Sequence, residues 1–380
     1  MNRNFFGKKI ILLFAFISTM GITEAQTYNL LIGTYTKSGK SEGIYVYTFN
    51  AETGFLNPKN KATGIENPSY LALSPDLTKV YSVSEFGKER NGSVYAYDFD
   101  AATGGLKFLI KKPSIGAGPC YIAVDAHAKY VFTANYAGGS LTAIPLNNDG
   151  SLSDSVQLIQ HTGKSINPTR QQEPHVHSTV LSPDNKFVFV SDLGTDKIYS
   201  YRLSADNKSK PLAAANPPYV QVKAGNGPRH LVFSNNGKFA YLITEMGSNV
   251  IAFRYKDGML KQLQSTSMLP EGFTGKAGAA AIHISPDGKF LYASNRLDLN
   301  EIVIYKINTH TGKLTYVGRE SSKGTHPRDF AIDPTGNFLL VANQDTNDIY
   351  VFKRNKTTGL LTYNGNKLEV GQPVCLKFVH

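Results

Sequence analysis

A block of about fifty residues recurs along this chain, and that recurrence restricts the fold more than any other feature. One copy reads Asn67-Pro68-Ser69-Tyr70-Leu71-Ala72-Leu73-Ser74-Pro75-Asp76, then Lys79-Val80-Tyr81-Ser82-Val83-Ser84-Glu85. It continues as Gly92-Ser93-Val94-Tyr95-Ala96-Tyr97-Asp98-Phe99 and Thr103-Gly104-Gly105-Leu106. Each piece is a short aromatic and β-branched run bounded by turn residues, which makes four strands in succession. The first half recurs with starts near Gly118, Pro174, Gly227, Gly278 and His326. Its turn recurs as Ser182-Pro183-Asp184, Ser285-Pro286-Asp287-Gly288 and Asp333-Pro334-Thr335-Gly336. Pro presets φ there, Asp caps the turn and Gly accepts positive φ. The second half is clearest in Gly43–Leu56, Ser93–Leu106, Glu301–Leu314 and Asp348–Leu361.

The two ends of the chain carry incomplete units. Leu30 to Tyr35 followed by Gly43–Leu56 lacks a first strand, and Gln372 to Val379 matches a first strand alone. Three strands from one end and one from the other complete a seventh unit. The expectation is an all-β, seven-bladed β-propeller with four antiparallel strands per blade, its ring closed by N- and C-terminal strands that share one blade. Closure removes free sheet edges. Trp is absent and the paired glycines characteristic of kelch repeats do not recur, so the repeat is neither of the WD nor of the kelch type.

The N-terminus reads differently. Arg3, Lys8 and Lys9 precede an apolar run from Ile10 to Ile22, and Ala25 stands before Gln26. This is the pattern of a secretory signal over residues 1–25, leaving 26–380 as the propeller domain. Export to the periplasm without stable membrane insertion follows; the location is cytoplasmic if the segment is not used. Removing the three basic residues and Glu24 lowers the formal charge from +11 to +9. Those charges are scattered along the chain, with no basic helix or nucleic-acid motif, so the excess suits a small anionic partner and not nucleic acid. Cys120 and Cys375 fall on non-equivalent strand positions of different blades and are expected as buried free thiols.

Antiparallel pairing puts the start of each first strand and the end of each second strand on one face of the disc, by the channel. The first position holds Ser69, Cys120, His177, Arg229, Ala280, Arg328 and Val374. The second holds Glu85, Tyr136, Leu193, Glu245, Arg296, Gln344 and Tyr35. Three consecutive blades thus bring His177, Arg229 with Glu245, and Arg296 to one mouth, with His175 two residues from His177 on the same side. Arginines hold anionic oxygens and stabilise developing oxyanions, and His or Glu moves protons. His230 and His283 are expected to pack between blades. His175 and His177 offer two metal ligands without a third, so no metal or other cofactor is expected. No Gly-x-Ser-x-Gly elbow supports a serine nucleophile.

Gln172-Glu173-Pro174-His175-Val176-His177-Ser178, Gly227-Pro228-Arg229-His230-Leu231, Thr244-Glu245 and Ser294-Asn295-Arg296 together resemble the seven-bladed propeller lactonase family. Leu31-Ile32-Gly33-Thr34-Tyr35-Thr36 and Thr133-Ala134-Asn135-Tyr136 extend the resemblance over about Asn29 to Val379. That family contains the propeller-type 6-phosphogluconolactonases and the carboxy-muconate lactonizing enzymes. The resemblance implies a His, two Arg and a Glu at the channel mouth, which fall on the His175/His177 segment, Arg229, Glu245 and Arg296. His177, Arg229, Glu245 and Arg296 are therefore the candidate catalytic residues, and His175, Arg328, Glu85, Tyr35 and Asn135 the candidate substrate-binding ones. The implied reaction is hydrolysis of a sugar lactone, as of 6-phospho-D-glucono-1,5-lactone to 6-phosphogluconate in the pentose phosphate pathway. Water activated by His177 or Glu245 attacks the carbonyl. Arg229 or Arg296 stabilises the oxyanion, and the other, with Arg328, holds a phosphate or carboxylate. The alternatives are a muconate-type cycloisomerase and a non-catalytic exported propeller binding a glycan or protein. Plain bacterial members lack an export signal, so the segment before this fold points to a different physiological lactone. A closed ring is expected to work as a monomer.

Overall fold

A computed structural model describes residues 1–2, 26–86, 91–204 and 206–380. The signal segment read from the sequence lies outside the described residues apart from its first two. Seven four-stranded antiparallel sheets follow one another around a ring. Blade one comprises Leu71–Leu73, Lys79–Ser84, Asn91–Asp100 and Gly105–Ala117, and blades two to six repeat the order, as in blade four with Pro228–Phe233, Phe239–Thr244, Asn249–Lys256 and Met259–Ser267. The seventh sheet has Pro373–Val379 innermost, then Thr27–Thr34, Gly43–Asn50 and Leu56–Thr63. The C-terminal strand pairs with the N-terminal one from Asn29 opposite Val379 to Thr34 opposite Pro373, so the expected closure is the observed one.

The core lies between blades. Second strands such as Tyr130–Asn135, Phe239–Thr244 and Phe338–Asn343 are buried along their whole length. At the seam between blades six and seven, Phe49 meets Phe338 and Phe378 edge-on, with ring centroids 5.7 and 5.1 Å apart. Each fully buried aromatic or branched side chain contributes about 1.5–3 kcal/mol through removal from water. The recurring Thr-Gly hairpin turn has its reason at the same seams. Gly359 has φ +82°, and a Cβ there would lie 2.3 Å from the Phe290 ring of the preceding blade. Its carbonyl accepts a 2.8 Å bond from the Tyr292 hydroxyl, which ties the two blades together.

One irregularity positions the channel mouth. In six of the seven sheets the pairing of first and second strands slips by an inserted residue near the top of the first strand. The slips fall at Cys120, His177, Arg229, Ala280 with Ala281, Arg328 and Val374. These are the positions that the repeat singles out. A β-bulge leaves its extra residue unpaired and re-aims the side chain, so the bulges turn this row into the channel. The bulge also interrupts alternation, so the residue after it faces the channel as well. His230 shows this: its ring lies 5.5 Å from His177, 5.2 Å from Tyr121 and 5.8 Å from Tyr70, on three other blades. Contact with blade one from blade four is possible only across the channel. The expectation that His230 packs between blades is therefore corrected. His283 does engage the next blade, its Nε2 3.2 Å from Asp329 Oδ1. Below the mouth the channel is filled: Tyr70 stacks on Tyr121 at 4.1 Å, and Lys377 lies 4.4 Å from the Tyr70 ring centre.

Candidate active site

Glu245, just past the second strand of blade four, is the centre of the mouth. Its Oε2 lies 3.2 Å from Arg229 Nε, 3.3 Å from Arg296 NH2 and 3.6 Å from His177 Nε2. Its Oε1 accepts from Arg170 NH2 at 2.8 Å. Burial opposes ionisation of this carboxyl, but Arg296, His177, Arg229 and Arg170 outweigh it and hold its pKa far below the usual carboxylate range. His177 is buried, and burial together with Arg229 holds its pKa well below the ordinary imidazole value. The site at neutral pH thus pairs a carboxylate with a neutral imidazole.

Arg229 and Arg296 are committed to the protein. Arg229, 2% exposed, bonds Glu245 through Nε, and its NH1 donates to the Ala280 carbonyl at 2.6 Å, the bulge of the next blade. Burial first, then Arg296 and Arg328, push its pKa down to about 10, which leaves it charged at neutrality. Arg296 Nε donates to the Gly278 carbonyl at 2.9 Å, and its NH2 to the Ala279 carbonyl at 3.1 Å. Its NH1 lies 3.2 Å from His326 Nε2. Burial and Arg296 push His326 down to about 4, so its Nε2 accepts from Arg296 while Nδ1 faces Asp345 Oδ2 at 3.3 Å. These two arginines fix and ionise Glu245.

A second group completes the mouth. The Tyr35 hydroxyl donates to Glu85 Oε2 at 2.9 Å and accepts from Arg328 NH2 at 2.8 Å, and Ser69 Oγ also donates to Glu85. Among the described residues Arg328 hydrogen-bonds Tyr35 alone, through NH2. Burial opposes its charge, but Tyr35, Glu85 and Glu245 hold its pKa above the usual value. A cavity of about 940 Å³ opens beside this group, lined by Tyr35, Asn67, Glu85, Tyr136 and Gln372 among others. Tyr136 joins the two groups: it lines the cavity, and its hydroxyl accepts from Arg170 NH2 at 3.0 Å.

Eight of the nine residues singled out from the sequence lie around this mouth. His177, Arg229, Glu245 and Arg296 form one cluster, and Tyr35, Glu85 and Arg328 the other. His175 stacks on Tyr136 at 4.6 Å with its Nδ1 3.0 Å from the Tyr136 carbonyl, so His177, not His175, meets Glu245. Asn135 is not brought to the mouth. It is fully buried, and its amide donates to Ser140 Oγ and Thr142 Oγ1 at 3.1 and 2.8 Å, because it ends the second strand facing the third. Cys120 and Cys375 are buried free thiols. Two residues of the site were not among the candidates, Arg170 and His326. Arg170 stands on the connection 161–175, whose length was its signal; His326 immediately precedes the first strand of blade six, two residues before the bulge at Arg328. Among the described residues no three His, Cys, Asp or Glu gather as a metal site.

The fold and site together are those of a closed seven-bladed propeller with an ionised glutamate, a neutral histidine and anchored arginines at its channel mouth. The chain belongs to the seven-bladed β-propeller lactonase family, whose model, "Lactonase, 7-bladed beta-propeller", matches residues 29–378. It is 37% identical over 351 residues to the 6-phosphogluconolactonase of Bacillus subtilis (strain 168), covering 92% of this chain and 97% of that one. The 6-phosphogluconolactonase of Formosa agariphila is 37% identical over 317 residues, with 83% and 89% covered. The structure of the periplasmic gluconolactonase of Pseudomonas aeruginosa is similar with a TM-score of 0.90 at 40% identity, covering 93% of this chain and 99% of that one.

Proposed function

We propose that this protein hydrolyses a sugar lactone at the channel mouth, in the manner of a 6-phosphogluconolactonase. The observation that carries the reading is the state of Glu245: a buried carboxylate kept ionised by cations, faced by His177, and linked through Arg170 to Tyr136, which lines a cavity large enough for a sugar ring. Glu245 takes a proton from water as the water oxygen bonds to the lactone carbonyl carbon. His177 Nε2 faces Glu245 Oε2 and steadies the carboxyl as it gains the proton. The oxyanion forms opposite the N–H groups of Arg328 that Tyr35 does not engage; Arg296 already meets protein groups through all three of its nitrogens, and Arg229 through Nε and NH1. The ring C–O bond then breaks, the leaving alkoxide recovers the proton from Glu245, and a hydroxy acid is released. No step uses a metal or organic cofactor. Tyr35 and Glu85 orient Arg328 and line the sugar's side of the cavity, with Tyr136, stacked on His175, also in its wall.

Export is part of the proposal: the basic and apolar pattern of residues 1–25 supports it, and the similarity to a periplasmic gluconolactonase agrees with it. Among the described residues no helix is long and apolar enough to cross a membrane. The closed ring supports a monomer. Acid release from 6-phosphoglucono-1,5-lactone and from glucono-1,5-lactone, followed at constant pH, tests the reading. Release above the spontaneous rate with either substrate is expected, and none with both removes it.

A further inference from the structure

The segment 161–175 joins blade two to blade three and is the longest connection between successive blades; the next, 268–276, is shorter. Long ordered connections in a compact fold are commonly functional. This one is pinned at its centre. Gln171 is fully buried, and its Nε2 donates to the Leu193 carbonyl and to Asp196 Oδ2, both at 2.8 Å. Asn167 Oδ1 accepts from the backbone N–H groups of Thr169 and Arg170, both at 3.0 Å. The backbone at Arg170 is thereby fixed above Glu245.

Among the described residues three arginines touch Glu245, and they differ in one respect. The side chains of Arg229 and Arg296 are 2% and 8% exposed, and that of Arg170 is 45% exposed. Both bonds of Arg170, to Tyr136 and to Glu245, leave from a single nitrogen, NH2. Its Nε and NH1 groups have no protein partner among the described residues. Arg170 also holds Glu245 Oε1, the oxygen that neither His177 nor the two buried arginines engage.

We propose that Arg170 is the anion receptor of the channel mouth. An anionic oxygen of the ligand, either the carboxylate that ring opening creates or a phosphate carried on the sugar, binds its unengaged N–H groups and draws the guanidinium off Glu245 Oε1. The exchange replaces one charged partner by another, so Arg170 stays paired. Glu245 loses one of its cations in the process and becomes a stronger base, which general base catalysis near neutrality requires. The base-strengthening step rests on the lactonase reading; the binding does not.

The test is calorimetric titration of gluconate, 6-phosphogluconate and neutral glucitol into the wild-type protein, Arg170→Gln and Arg170→Lys. A residue that merely steadies Glu245 weakens all three ligands alike. The receptor predicts that Arg170→Gln loses about tenfold or more in affinity for an acid relative to glucitol, and that Arg170→Lys recovers part of it. A loss confined to 6-phosphogluconate assigns the phosphate; a loss that includes gluconate assigns the carboxylate. An unchanged preference for acids over glucitol in Arg170→Gln overturns the proposal, as does a wild type with no such preference. A wild type that binds acids through Arg170 yet hydrolyses no lactone removes the lactonase reading and leaves the receptor standing.

Discussion

Arg229 Nε stands 3.2 Å from Glu245 Oε2, both residues come from blade four, and both are buried at the channel mouth. The bulge at Arg229 and the end of the next strand at Glu245 bring them together across one hairpin. A buried pair of this kind costs desolvation, and its attraction repays that cost only with good geometry and further hydrogen bonds. Here the Ala280 carbonyl, Arg170 and Arg296 supply them.

The pair should be strongly coupled. Glu245→Gln is expected to destabilise the protein by about 3–5 kcal/mol, since it leaves buried arginines uncompensated, and Arg229→Met by less, since Arg296 and Arg170 still pair Glu245. The double variant is expected to lose less than the sum, with a coupling of about 1–3 kcal/mol in denaturant unfolding. Additive losses would contradict the pairing.

Stability should fall toward acid pH in two stages. His177 and His230 have pKa values held well below normal in the fold, chiefly by burial, so the unfolded chain binds their protons first once pH drops below about 6.5. Glu245, held low in the fold by its cations, adds stability that is complete above about pH 4.3 and is lost as pH falls further toward its folded value. Thermal midpoints between about pH 8 and 3 check this. The lower stage should flatten in Glu245→Gln, and an identical profile in that variant would refute the assignment.

Tyr35→Phe removes the hydroxyl that links Arg328 to Glu85 while keeping the ring. With a charged partner lost, about 1.5–3 kcal/mol of substrate or transition-state binding is expected to go, which is about 10- to 100-fold in kcat/KM. Steady-state kinetics with a sugar lactone measures it.

Asn135→Ala separates the strand-end asparagine from the mouth. Its amide satisfies two buried hydroxyls, so a loss of about 1–3 kcal/mol in unfolding free energy is expected. Turnover by the folded variant is expected to stay within about threefold of wild type.

The architecture was legible because turn chemistry and alternation recur with each blade, and because the fragments at the two ends were complementary. The mouth was legible for a related reason. Positions that need only small residues instead carry His177, Arg229, Glu245 and Arg296, and they stand out once the blades are aligned. Bulges carry no composition signal, so the sequence left His230 on the wrong side of its strand. The strand-end position of Asn135 did not reveal that its amide turns toward Thr142. Arg170 lies outside every repeat column, and only the length of its connection marked the segment. The division of labour among the arginines depends on which N–H groups reach Gly278, Ala279 and Ala280, and this is a matter of geometry alone.

The most direct test of the account is the hydrolysis rate of 6-phosphoglucono-1,5-lactone and glucono-1,5-lactone by the wild-type protein and by folded Glu245→Gln, above the spontaneous background. The account predicts turnover by the wild type and a fall of about 10²–10⁴-fold in kcat for the variant. A Glu245→Gln variant that keeps wild-type kcat would show that the carboxylate at the centre of the mouth is not the base.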